Sequence, residues 1–519
     1  MEKVYIYDTT LRDGSQGPGI NFSLEDKLKI AEVLDELGVH YIEGGWPGSN
    51  PKDIEFFKRI KKHKIKAKIV AFGSTRRKKI TPSRDKNLRS LIKVNPDAFC
   101  IFGKTWLLHV EKALKTDPEE NLKMIYSSVK FLKRTGKEVI YDAEHFFDGY
   151  KHNRDYALLT LKEALRAGAD WIVLCDTNGG CLPGEIERIV REVVKNIKGA
   201  KIGIHAHNDT DCGVANSLVA IRCGARMVQG TINGYGERCG NANLCSVIPG
   251  IELKLNMDSI GKNNLKKLTR ISRYVDEIAN LIPRTNQPYV GEGAFAHKGG
   301  VHVSAVGRDE RTYEHIPPEA VGNKRKIIVS ELAGKSNLLF KAKEYKIDIK
   351  DERILNKVLK KIKKLEYEGY EFEGAEGSFK VLLEKEMGEN VEFFEILGYR
   401  VIVEEVSGKI RSEATVKVKV KERISYTVSE GDGPVNALDN ALRKALENFY
   451  PELNEVTLTD FKVRVINPKR GTAAKVRVFI ESKDREGFWV TVGVSENIIE
   501  ASFKALIDGI MFKLLKEKR

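Results

Sequence analysis

Eight short apolar segments recur through the first half of the chain, each followed by helical sequence, and no other feature limits the possible folds so strongly. They run from Val4 to Tyr7, Tyr41 to Glu43, Lys68 to Phe72, Ala98 to Phe102, Glu138 to Asp142, Trp171 to Cys175, Lys201 to His205 and Met227 to Thr231. The first intervening stretch opens with Ser23, Leu24, Glu25 and Asp26, a capping-box pattern, and closes at Gly38; another runs from Asn153 to Gly168. Strands separated by helices of this length pair in parallel. Eight such units in about 250 residues predict an α/β fold, a (β/α)8 TIM barrel.

The polar residues test that reading. Arg12 and Asp13, Glu43, Ser74, Lys104, Glu144, Asp176 with Thr177, His205 with His207, and the run Asn233 to Asn243 all follow strand segments. They therefore fall at the C-terminal ends of the strands, the face on which barrels carry their chemistry. In HAHND, His205 and His207 occupy alternate positions of an extended segment and point to one side. With Asp13 from DTTLRDGSQ and Asn241, they make an oxygen and imidazole donor set suited to Mg, Mn or Zn, with positions left open for a ligand. Arg12, beside Asp13, supplies a fixed guanidinium for an oxyanion, or a salt bridge beneath the site. Glu144 suits hydrogen bonding or acid-base work, with a structural partnership to Arg12 as the alternative. Glu43 reads as a supporting residue. The glycines of GYGERCGNAN, Gly234 to Asn243, lack the strand-to-helix GxGxxG arrangement of a dinucleotide fold and instead let backbone come close to a ligand.

At 519 residues the chain is too long for one core. A helical stretch from Leu265 to Leu281 leads to GEGAFAHKGGVH (Gly291–His302) and YEHIPPEAVGN (Tyr313–Asn323), then to lysine-rich helical sequence up to Leu365. Residues 366–377, rich in glycine and glutamate, read as a linker. Beyond them FEILGYRVIVEEV, SEATVKVKV and the helix NALDNALRKAL are followed by VTLTDFKVRVI, TAAKVRVFIES, FWVTVGV and a helix from Ile498 to Leu515. This is a pseudo-repeat with an offset of roughly sixty residues. The expected domains are a catalytic barrel at 1–260, helical linker and lid segments at 261–377, and a C-terminal α+β domain at 378–519. His302 and Tyr313 stand outside the barrel in the lid segments; a histidine near a phenol is a usable proton-transfer pair, whereas each alone reads as a surface residue.

The net charge of +15 raises the question of nucleic acid, but the 31% of charged residues alternate in sign and no nucleic-acid-binding motif accompanies them. No apolar run is long enough to span a bilayer, the first strand begins next to Met1, and seven cysteines lack framework spacing, so a cytoplasmic chain with reduced thiols and neither nucleic-acid nor membrane partners is expected.

DTTLRDGSQ, HAHND and GYGERCGNAN together resemble the signature of the acyl-CoA condensing branch of the DRE-TIM metallolyases, which contains the 2-isopropylmalate, homocitrate and citramalate synthases. The resemblance extends over essentially the whole chain, through HKGGVH, YEHIPPEAVG and the C-terminal repeat. EGGWPGSNPKD (Glu43–Asp53) and FGKTWLLHV (Phe102–Val110) are most similar to the bacterial citramalate synthase branch. This implies condensation of acetyl-CoA with pyruvate, the entry to isoleucine by the pyruvate route, with 2-isopropylmalate synthase and an HMG-CoA-lyase-like aldol lyase as the alternatives. It implies that Asp13, His205, His207 and Asn241 hold the divalent metal, that Arg12 stabilises the oxyanion, and that Glu144 and Thr177 contact the keto acid. His302 and Tyr313 then match the positions that deprotonate the acetyl methyl. A wall of Phe102, Trp106 and Leu107 is expected to admit a methyl but not an isopropyl group. The C-terminal repeat resembles the family's regulatory domain, which implies a homodimer and isoleucine as effector.

Overall fold

The computed structural model describes residues 2–329, 334–345, 347, 349, 351–388 and 391–518. The chain divides into two compact units, Met1–Phe295 with His315–Arg325, and Ala296–Glu314 with Lys326–Arg519.

In the first unit eight parallel strands close a barrel in sequential order, with β1 hydrogen-bonded to both β2 and β8. They are β1 (Tyr5–Asp8), β2 (Tyr41–Gly45), β3 (Lys68–Ser74), β4 (Ala98–Lys104), β5 (Glu138–Glu144), β6 (Trp171–Asp176), β7 (Ile202–Ala206) and β8 (Met227–Gly230). Alternation along each strand sends one set of side chains inward and the other outward. Tyr7, Val70, Cys100, Ile140, Val173 and Met227 fill the barrel, whereas Ile6, Ile69, Phe99, Val139, Ile172 and Val228 pack beneath the helices. Both sets are buried, which is why the strands read as continuous apolar runs. The helix Leu24–Leu37 starts with the expected box: the Ser23 hydroxyl accepts from Asp26 N, and the Asp26 carboxylate accepts from Ser23 N.

The second unit begins with two short parallel strands, β9 (Ala296–His297) and β10 (Lys326–Ile327). Of the stretch expected to be helical up to Leu365, residues 330–333, 346, 348 and 350 lie outside the described residues. The helices Lys335–Glu344, Glu352–Glu368 and Glu376–Glu386 pack through Leu338, Val358, Ile362 and Phe379. The segment expected as a linker at 366–377 is shorter, because helix continues through Glu368 and resumes at Glu376. Next come β11 (Glu395–Val406), β12 (Lys409–Val420), β13 (Arg423–Gly431) and the helix Pro434–Leu446. The order repeats as β14 (Thr457–Val465), β15 (Val476–Asp484), β16 (Gly487–Ser495) and the helix Ile498–Glu517. Each copy is thus a three-stranded antiparallel sheet closed by a helix. The sequence reading omitted β13, whose apolar residues Ile424, Tyr426 and Val428 are exposed at a sheet edge. Central β12 instead buries Ala414, Val416 and Val418 with Leu438, Ala441 and Leu442 of the helix. No helix among the described residues is long and apolar enough to cross a membrane.

Candidate active site

The site is built on strand ends. Asp8, the last residue of β1, accepts from Thr10 N at 2.8 Å and Thr10 Oγ1 at 2.9 Å, which tightens the turn that presents Arg12 and Asp13. From β7 and the position just past it, His205 and His207 converge on the same carboxylate: His205 Nε2 lies 3.5 Å and His207 Nε2 3.8 Å from Asp13 Oδ2. All three are buried. Burial alone would raise the Asp13 carboxyl, but Arg12 and the two imidazoles outweigh it and hold it low. Burial lowers both histidines, His205 to about 4, so the imidazoles are neutral donors. Among the described residues the Asp13 carboxylate and the His205 and His207 imidazoles form the cluster close enough to hold a metal ion.

Asn241 reaches the same place through the eighth loop, where it bridges to His207. Its Nδ2 donates to Tyr235 O at 3.1 Å, and its Oδ1 is buried without a partner, as are Asp13 Oδ1 and His207 Nδ1. Two glycines permit this approach. A Cβ on Gly236, at φ 148°, would lie 2.2 Å from Asn241 Nδ2, and one on Gly240, at φ 85°, would lie 1.9 Å from Gly234 O. A charged carboxylate, neutral imidazoles and orphaned oxygen acceptors fit a divalent cation, because each otherwise meets the cost of burial without a partner.

Arg12 is fixed from three sides. Its Nε donates to Glu43 Oε1 at 2.5 Å, its Nη1 lies 3.3 Å from Asp13 Oδ2, and its guanidinium rests 3.8 Å from the centroid of the Phe72 ring. Glu43 is wholly buried and also accepts from the Tyr7 hydroxyl at 2.6 Å. Burial raises the Glu43 carboxyl, while Arg12 and Tyr7 oppose that shift. Glu43 therefore anchors Arg12 from below.

Arg12, Asp13, Phe102, Glu144, Thr177, His205 and His207 line one cavity of about 220 Å³, together with Trp46, Phe72 and Asp142. Glu144 is ion-paired with Lys104, and Arg12 is held by Glu43 instead. Thr177 Oγ1 accepts from His145 N at 2.9 Å. Phe102 stacks on Phe72 at 5.5 Å and meets Trp46 edge-on at 5.7 Å. Trp106, expected in this wall, instead stacks on His109 at 5.3 Å. His302, in the helix Gly300–Val306, stacks on Tyr313 with ring centroids 4.1 Å apart; both belong to the second unit. Sequence reasoning missed Tyr7, Asp142 and Gln229, each polar yet inside an apolar strand.

The HMGL-like family description matches residues 3–275, a homocitrate synthase post-HMGL domain-like description matches 289–369, and the LeuA allosteric (dimerisation) domain matches 373–514. The (R)-citramalate synthases of Geobacter sulfurreducens and Aquifex aeolicus are each 58% identical to this chain over 100% of its length and 99% of theirs. The chain belongs to the HMGL-like family, among the (R)-citramalate synthases. A 2-isopropylmalate synthase of Methanocaldococcus jannaschii is more distant, 34% identical over 100% of this chain and 96% of its own. The (R)-citramalate synthase family and the barrel thus stand as the sequence led one to expect, and the LeuA match follows the barrel through the pseudo-repeat.

Proposed function

We propose that this chain condenses acetyl-CoA with pyruvate and water to give (R)-citramalate and free CoA. The observation that carries the reading is the convergence of the Asp13–His205–His207 cluster, Arg12 and an aromatic wall on one cavity of about 220 Å³. That chemistry and size suit a small 2-oxo acid.

A divalent metal, Mg, Mn or Zn, held by Asp13, His205, His207 and Asn241, would supply Lewis acidity at the keto oxygen. The chain's own residues do the rest. Arg12, locked by Glu43 and Phe72, holds the oxyanion as it develops. Glu144 and Thr177 contact the keto acid. The imidazole of His302, with Tyr313 stacked on it, takes a proton from the acetyl methyl. That carbon then forms a bond to the keto carbon, and water cleaves the thioester, releasing the CoA thiol. Catalysis is assigned to 1–260, the linker and lid to 261–377, and control to 378–519. The LeuA match supports a homodimer with an amino-acid effector, for which isoleucine is proposed.

The test follows thiol release from acetyl-CoA with pyruvate, 2-ketoisovalerate and 2-ketoglutarate offered separately. Release with pyruvate alone is expected, and isoleucine should suppress it. Preference for 2-ketoisovalerate would reassign the chain to 2-isopropylmalate synthesis.

A further inference from the structure

His205 binds through more than its metal-facing nitrogen. Strands β7 and β8 lie in register with His205 opposite Gln229, and His205 Nδ1 is 2.9 Å from Gln229 Oε1. On its far side Gln229 Nε2 is 2.9 Å from Asp142 Oδ1, on β5 across the barrel interior. All three side chains are buried, Gln229 completely. The Asp142 carboxyl oxygen accepts from Gln229 Nε2, which turns the amide oxygen toward His205. That oxygen only accepts, so the single proton of a neutral His205 sits on Nδ1. The Nε2 lone pair is left bare and aimed at Asp13.

We propose that Asp142, acting through Gln229, is a positioning residue that selects the metal-binding tautomer of His205. Reversal of the amide would present N–H groups to Nδ1, move the ring proton to Nε2 and block ligation. The relay replaces the carboxylate–histidine pair common behind metal-binding histidines with a carboxylate–amide–histidine chain.

The inference rests on reading Asp13, His205 and His207 as metal ligands, and the experiment separates the two. The full-length protein, stripped of metal, is titrated with Co2+ by its visible absorption and with Zn2+ against a chromophoric chelator. Asp13→Ala should lose binding. Gln229→Met, which keeps the shape but not the acceptor, should bind about 10–100-fold more weakly. Asp142→Leu should weaken binding in the same direction. Loss in Asp13→Ala with undiminished affinity in Gln229→Met overturns the relay alone, whereas undiminished affinity in Asp13→Ala removes the metal reading and the relay with it. A measurement that needs no folded Gln229 variant is the 15N spectrum of histidine-labelled, metal-free protein. The His205 resonances, identified by their absence from His205→Asn, should carry the proton on Nδ1; a proton on Nε2 refutes the proposal.

Discussion

Phe102→Ala tests what sets the size of the acceptor. Phe102 stacks on Phe72, meets Trp46 edge-on and lines the cavity that also holds Arg12 and the Asp13–His205–His207 cluster. 2-Ketoisovalerate exceeds pyruvate by two carbons, and at about 1–3 kcal/mol per carbon in an apolar pocket the exclusion is worth about 2–6 kcal/mol. The lower end is about 30-fold in kcat/KM. Removing the ring should raise kcat/KM for 2-ketoisovalerate relative to pyruvate by at least that factor. The substitution has a second, separable effect. Phe72 supports the Arg12 guanidinium from 3.8 Å, and an aromatic pair contributes about 0.5–1.5 kcal/mol beyond its buried area. Loss of the stack should therefore lower kcat for pyruvate by about tenfold or less. The assay is steady-state thiol release with both acceptors. An unchanged ratio of kcat/KM values, with normal folding by circular dichroism, would show that Phe102 does not set the size limit and would refute the reasoning.

Glu43→Leu strands the Arg12 guanidinium in the barrel, and breaking a buried ion pair from one side should cost about 3–5 kcal/mol in urea unfolding, with loss of turnover. Gly236→Ala places a methyl against Asn241 at a left-handed backbone position; a cost of about 1–3 kcal/mol and weaker Co2+ binding are expected, and unaltered binding would exclude Asn241 from the metal set. In the second unit burial alone would raise Asp484, but Lys516 and Lys513 outweigh it and hold the carboxyl at about 2. Its folded value lies below its unfolded one, so its stabilisation is present above about pH 4 and lost as the pH falls toward 2. Asp484→Asn should flatten the acid limb of a stability-against-pH curve in that window, and an identical curve would rule out the cluster as its source.

The barrel was legible because its strands are buried on both faces, so each appears as an apolar run bounded by a helix cap and a polar strand end. The predicted strand starts lie within a residue of those found. β13 escaped because its apolar side chains point outward from a sheet edge and alternate with Arg, Ser and Thr, a pattern that also fits an irregular connection. Strand-end position brought Arg12, Asp13, His205 and His207 into view. Asp142 and Gln229 stayed hidden since a polar residue inside a strand acquires a role only from its partner across the barrel, which sequence order does not reveal. Trp106 shows the reverse error. Nearness to the end of β4 suggested the cavity wall, but the chain turns there and sends the indole onto His109, leaving Trp46 and Phe72, from earlier strands, to complete the wall with Phe102.

The charge balance of the barrel mouth explains why these roles interlock. Asp13, Glu43 and Asp142 are buried beside the Arg12 guanidinium, while both imidazoles are neutral. Burial pushes Asp142 up to about 7 and raises Glu43, the response of carboxylates short of positive charge. Arg12 cannot serve all three: it binds Glu43 through Nε and leans toward Asp13 through Nη1. A divalent cation held at Asp13 would supply the missing charge and would favour ionised Asp142 through the same field. An ionised Asp142 would be the stronger acceptor for the Gln229 amide. A bound metal and the proposed relay would therefore stabilise one another, and polar groups that are costly in an empty barrel would become mutually supporting in a loaded one.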